Sequence, residues 1–136
     1  MSGLSEEQRL LKDSVEKFVT GQYEFAERRK ILAIESGFLP EHWTQFAALG
    51  WLGAPFSEAD GGLGGTSTDV AIIADVLGKG LYVGPFISGV IAAGSLVAHA
   101  GNPDQKERWL APVISGEQLL AFAYAEPQSR YDLANV

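Results

Sequence analysis

Along most of this chain the apolar residues recur at helical spacing, and near its end they alternate instead. Leu11, Val15, Phe18 and Val19 fall at i, i+4, i+7 and i+8, which is one face of a helix. Ser5, with Gln8 three residues on, is the capping-box pattern that starts it. This helix is expected to run on, with a break near Gly21, through Phe25 and the basic cluster Arg28-Arg29-Lys30. Pro40 suits the first position of a short helix that buries Trp43, Phe46 and Ala47 and that Gly50 ends. His42 reads as a polar residue at the start of that helix. From Trp51 to Gly65 the period is lost and glycines cluster, predicting a tight irregular connection with several left-handed positions.

Thr66, with Asp69, caps the next helix. Val70, Ile72, Ile73, Ala74, Val76 and Leu77 leave it little polar face, which places it at the centre of a bundle until Gly78-Lys79-Gly80 ends it. Phe86 to Ala100 predicts an equally apolar helix carrying small residues at Ser88, Gly89, Ala92, Ala93 and Ser95. A glycine within a helix costs about 0.5–1 kcal/mol relative to alanine. Either a close helix crossing or room for a ligand is expected to offset that cost. Asn102, Pro103 and Gln105 open a last helix with an apolar stripe at Trp109, Leu110, Val113 and Ile114, which Pro112 should end or kink.

Ser115-Gly116 turns the chain, and Leu119 to Ala125 reads as a strand. Leu120, Phe122 and Tyr124 lie on one face of it; Leu119, Ala121, Ala123 and Ala125 lie on the other. Glu126-Pro127 stops the ladder. A lone strand forms no sheet, so it is expected to pair with another molecule or to open a further part of a longer chain. The fold class that follows is all-α: a bundle of about five to six helices, then the first strand of a β-domain absent from the chain. The expected boundary puts the helical domain at 1–117 and the start of the β-domain at 118–136.

Composition narrows the function. The chain has 136 residues, 46% of them hydrophobic, which suits one globular domain. Its 10 Lys and Arg against 17 Asp and Glu give a formal charge of −7, which argues against nucleic acid or an anionic membrane as the main partner. Without cysteine there are no disulfides or thiolate nucleophiles, and His42 and His99 are too few and too far apart to suggest a metal site. The polar, acidic start Ser5-Glu6-Glu7-Gln8 is unlike a signal peptide, so a cytoplasmic protein is expected. Between Lys79 and Asp104 there is no charged residue. Gly80, Gly84, Pro85 and Gly101 nevertheless break that run below the roughly 20 residues a membrane helix needs, so no membrane span is expected. The Arg28-Arg29-Lys30 cluster suits either a phosphate contact or a solvated helix end, and the second reading is favoured. His99, at the end of an apolar helix, reads as structural.

Two runs carry a family resemblance. Residues Gly101 to Glu117 read G-N-x-x-Q-K-x-x-x-L-x-P-x-x-S-G-E, followed by an apolar strand and Glu126-Pro127. Upstream stand Gly50-Trp51-Leu52-Gly53, Pro55, Gly61-Gly62 and Gly64. Together, and in this order, they resemble the N-terminal helical domain and first middle-domain strand of the acyl-CoA dehydrogenases. The resemblance implies an FAD-dependent oxidoreductase of fatty acid metabolism that dehydrogenates an acyl-CoA thioester between its α and β carbons. In that family a carboxylate takes the α-proton and flavin takes the β-hydride, and the carboxylate belongs to a C-terminal domain. No catalytic residue is therefore expected in this chain, nor is activity from it alone, and Glu126 is read as a structural strand end.

By the same resemblance Phe86, Gly89 and Ala92 would line the acyl pocket. Phe122, Ala123, Tyr124, Ala125, Arg130 and Tyr131 would border the FAD. The family pattern there is Y-x-x-T-E-P-x-A-G-S-D; Glu126, Pro127 and Asp132 agree with it. Ala125 stands where the family has Thr, removing one hydrogen bond worth about 0.5–1.5 kcal/mol, and Arg130-Tyr131 stands where it has Gly-Ser. FAD is therefore expected to bind weakly or not at all to this chain by itself. The implied partners are an acyl-CoA substrate, an electron-transfer protein, and further subunits in a homo- or hetero-oligomer. The departures leave a second reading open, a non-catalytic helical partner subunit acting in the assembly of a heteromeric acyl-CoA dehydrogenase.

Overall fold

A computed structural model of the chain describes residues 3–130, 132, 134 and 135. Six helices form the fold, and no strand occurs among the described residues. Helix α1 (Glu6–Gln22) starts at a complete capping box, with Gln8 N donating to Ser5 Oγ at 3.1 Å and Ser5 N to Gln8 Oε1 at 3.2 Å. It ends at Tyr23, whose side chain turns into the core at 2% exposure, so the break falls two residues after Gly21. Helix α2 (Phe25–Ile31) follows, and then α3 (Pro40–Ala48) with Pro40 in its first turn. Helix α4 (Ser67–Lys79) starts at the Thr66–Asp69 box and packs along α1. Ile73 is fully buried on it, with Ile72, Val76 and Leu77 close behind, as expected of the central helix.

Helix α5 has π-type hydrogen bonding over Phe86–Gly94 and α-type over Ser95–Ala100. Helix α6 is built likewise: Pro103–Gln105, a wide π stretch over Lys106–Leu110, then Ala111–Ile114. Pro112 has no N–H for a carbonyl one turn back, and its ring crowds that carbonyl. The wide turn immediately before it accommodates both, so the helix continues through the proline and stops at Ile114.

Three helices end in one pattern, a left-handed residue whose neighbours close two carbonyls. After α3, Gly50 (φ 77°) and Trp51 donate to Ala47 O and Phe46 O, both at 2.9 Å. After α6, Gly116 and Glu117 donate to Val113 O and Pro112 O. After α4 the left-handed position is Leu81 (φ 53°), one residue beyond the expected Gly80, and it and Tyr82 donate to Gly78 O and Leu77 O.

The core is aromatic. Phe46 centres it, 4.9 Å from Phe18, 4.7 Å from Trp51 and 5.2 Å from Tyr82, ring centre to ring centre. The glycine-rich connection folds over one side of this cluster, burying Trp51, Leu52, Ala54 and Phe56. A side chain at Gly62 would run into the Phe56 carbonyl, and one at Gly94 would meet the Phe56 ring at 2.7 Å. Phe56 thus joins that connection to α5.

Residues 119–126 carry no regular secondary structure. The alternation expected there is present, but a strand is defined by its ladder, and no described residue pairs with it. The segment instead crosses α5, with the Leu120 carbonyl 3.1 Å from where a Cβ on Gly89 would sit. That approach is the offset expected for a glycine in α5, made by an irregular segment rather than by a helix. No helix among the described residues is long and apolar enough to cross a membrane.

Candidate functional site

Where residues 119–125 cross α5, a mostly apolar cleft of about 490 Å³ opens. Its lining comes from the loop before α5 (Gly84), from α5 itself (Ile87, Ser88, Ala92) and from the crossing segment (Phe122, Tyr124). Gly84, Ser88 and Ala92 are spaced by four, so they form one narrow row of small residues. Opposite them the rings of Phe122 and Tyr124 lie 5.7 Å apart, inclined by 47°. The crossing at Gly89 sets this separation: a larger residue there would push Leu120, and with it the aromatic wall, away from the helix.

The residues expected to form the site are divided by the structure. Ala92, Phe122 and Tyr124 line the cleft together. Gly89 supports it from the buried face of α5, through the contact with Leu120. Phe86 does not line it: with Gly89, Val90 and Ala93 it lies on the core face of α5, 2% exposed. Ala123 and Ala125 are exposed beside the cleft rather than in its lining. Arg130 stands in a turn held by Ser129, whose N and Oγ donate to Glu126 O at 3.1 and 3.0 Å. Its φ is 52°, the left-handed region, so it takes a glycine-like conformation where the resemblance expects Gly. Tyr131 lies outside the described residues. Gly84, Ile87 and Ser88 were not among the expected site residues, although stepping back from Ala92 by fours reaches two of them.

The residues fit a flat, apolar cofactor in part. Phe122 and Tyr124 give the cleft an aromatic lining, and the exposed Ala121, Ala123 and Ala125 leave the backbone approachable. Ala125 has no hydroxyl to offer it. No aspartate or glutamate is among the cleft's lining residues, and no group of metal-binding side chains occurs among the described residues.

Other polar groups take structural places. Arg28 Nε donates to Leu81 O at 2.7 Å, so that member of the basic cluster reaches from α2 to the loop that follows α4, while Arg29 and Lys30 stay exposed at the helix end. Lys106 Nζ meets Asp60 Oδ1 at 2.9 Å, tying the glycine-rich connection to α6, and with the Ser57 hydroxyl it holds the Asp60 carboxyl below the usual carboxylate range. His99 Nδ1 lies 2.8 Å from Ser95 O, within its own helix. His42 lies in the first turn of α3, as expected, but is 7% exposed and edge-on to Phe18 at 4.9 Å, so it belongs to the core.

The chain matches the family model for the acyl-CoA dehydrogenase N-terminal domain over residues 5–117, and it belongs to that family. It is 32% identical to mitochondrial isovaleryl-CoA dehydrogenase of Pongo abelii, in an alignment covering 100% of this chain and 33% of that protein. The solved acyl-CoA dehydrogenase of Bacillus anthracis, complexed with FAD, superposes with a TM-score of 0.81 at 27% identity, over 98% of this chain and 23% of that one. Acyl-CoA dehydrogenase from Geobacillus kaustophilus gives 0.78 at 26% identity, over 99% and 35%. The chain spans about a third or less of the length of the curated relatives it matches, with shares of 33% and 23% for the Pongo and Mycobacterium tuberculosis proteins.

Proposed function

We propose that this chain supplies the helical wall and the flavin-side edge of an FAD-dependent acyl-CoA dehydrogenase, which forms a double bond between the α and β carbons of an acyl-CoA thioester. The observation that carries the reading is the cleft in which α5 of a family helical domain faces Phe122 and Tyr124. Gly84, Ser88 and Ala92 leave room along the helix for an acyl chain, and each methylene buried against Ile87 and the two rings contributes about 0.8 kcal/mol. Residues 122–125 border the cofactor, with Arg130 in the following turn. FAD, when bound, supplies the two-electron acceptor. The chain's part is to bind the acyl group, orient it across the helix and keep water from its apolar end.

The α-proton needs a base within hydrogen-bond reach, and the cleft wall holds no carboxylate. We assign the base to another part of the assembly and leave Glu126 as the exposed residue before Pro127. Electron-transfer and subunit partners follow from the same reading. Ala125 and the left-handed Arg130 favour a second reading, a subunit of a heteromeric dehydrogenase whose own cofactor edge is weakened and whose role is assembly.

The test pairs binding with turnover, using the purified chain, added FAD and hexanoyl-CoA. Weak binding of hexanoyl-CoA without reduction of an electron-accepting dye is expected. Robust turnover by this chain would overturn the assignment of the base elsewhere, and absence of any acyl-CoA binding would overturn the cleft's assignment.

A further inference from the structure

The loop from Leu81 to Gly84 leads into the cleft, and it is held from behind by the junction of α1 and α2. Tyr23, buried to 2% exposure, accepts a hydrogen bond from Val83 N at 3.1 Å through its hydroxyl. Arg28, one turn into α2, donates from Nε to Leu81 O at 2.7 Å. Between these two anchors Tyr82 inserts its ring, 5.0 Å from Tyr23 and 5.2 Å from Phe46. Its hydroxyl ends 2.5 Å from where a Cβ on Gly84 would be. Gly84 therefore rests on a fixed ring and forms the cleft wall on its other side. The anchors lie 53 and 60 residues from their partners in sequence, and Leu81 keeps its left-handed backbone between them.

We propose that Tyr23 and Arg28 are positioning residues of the cleft: through Val83 N and Leu81 O they hold Gly84 against Tyr82 and set the width open to an acyl chain. This inference rests on the acyl-CoA reading of the cleft for its ligand, but not for its geometry. A local anchor differs from a merely stabilising contact in what its loss loosens. Removing the Tyr23 hydroxyl frees one amide in this loop and leaves the ring packing in place.

Hydrogen–deuterium exchange on the full chain tests it, followed over 81–88 with the centre of α4, 70–77, as reference. Tyr23→Phe and Arg28→Ala should each speed exchange over 81–88 by up to about tenfold, the effect of one net hydrogen bond, while leaving 70–77 unchanged. Arg28→Lys should restore part of the protection, and Arg29→Ala on the same helix should change neither segment. Gly84→Ala, which drives a methyl group into the Tyr82 ring, should loosen 81–88 without touching either anchor. Hexanoyl-CoA affinity, measured on the same proteins, should fall about threefold or more in Tyr23→Phe and Arg28→Ala, as expected for lost preorganisation. Unchanged exchange over 81–88, equal acceleration over 70–77, or a loosened loop with unaltered hexanoyl-CoA affinity would each overturn the proposal. If the wild-type chain binds no hexanoyl-CoA, the acyl-CoA reading fails, and exchange over 81–88 alone decides whether the anchors hold the loop.

Discussion

His42 shows how a residue's chemistry is set by what packs on it. Its ring stands edge-on to Phe18 and 6.0 Å from Tyr23, and Nδ1 has no hydrogen-bond partner among the described residues. Burial disfavours the charged form and lowers its pKa below the ordinary 6.5, while Glu41 and Glu27 oppose that shift more weakly. The unfolded chain therefore binds the proton more readily than the folded one. The contribution to stability is complete above 6.5 and is lost as pH falls from there through the depressed folded value. We expect the melting temperature to drop between about pH 7.5 and about pH 5, and to drop less in His42→Phe. Equal drops in the two proteins would show that other groups set the acid limit. Leu81 is a second such residue. It is 56% exposed and left-handed, a conformation that costs a non-glycine residue about 1–2 kcal/mol. Leu81→Gly keeps the carbonyl that Arg28 binds and should raise stability by about 0.5–1 kcal/mol in urea unfolding, after the added flexibility of the unfolded chain is subtracted. A loss of stability would mean that the Leu81 side chain contributes more than its backbone costs.

Elements show where sequence patterns sufficed. The three capping boxes at Ser5, Thr66 and Asn102 were legible because each is complete within four residues. Glycine clustering from Trp51 to Gly65 foretold left-handed turns, and Gly61 and Gly64 have them. It did not foretell that Gly62 lies against the Phe56 carbonyl, because that contact depends on the loop folding back on itself. Gly62→Ala should therefore destabilise the chain by about 1–3 kcal/mol, the usual cost of overpacking, since the obstacle is backbone and cannot swing aside. Gly3→Ala, in open space, serves as the control. Matching unfolding midpoints for the two variants would contradict the packing described for this connection. Pro112 was read as an end or a kink, and the wide turn ahead of it is the less obvious solution. The strand at Leu119 to Ala125 shows the opposite limit: alternation sets which side chains share a face, but a ladder needs a partner that the segment cannot supply.

At the scale of the whole molecule, the bundle and the order of its helices could be read from periodicity, and the cleft only in part. A stretch near Ala92 was expected to line an acyl pocket and another at Phe122 to Tyr124 to border a flavin, and Ala92, Phe122 and Tyr124 lie on one cleft where the chain crosses Gly89. Phe86 was expected in the pocket and lies in the core, because it shares the α5 face of Val90 and Ala93 rather than that of Ser88 and Ala92. The anchors on the loop before α5 were not legible at all, since Tyr23 and Arg28 find their partners only after the chain has folded. The central claim is that this cleft is where the acyl group and the flavin edge meet the chain. Chemical-shift mapping of the isotope-labelled protein with hexanoyl-CoA, with and without FAD, tests it most directly. Shifts should concentrate at Gly84, Ile87, Ser88, Ala92, Phe122 and Tyr124, with those at 122–125 growing when FAD is present. Shifts confined to the separate pocket lined by Asp60, Gly101 and Lys106, or none at all, would contradict it.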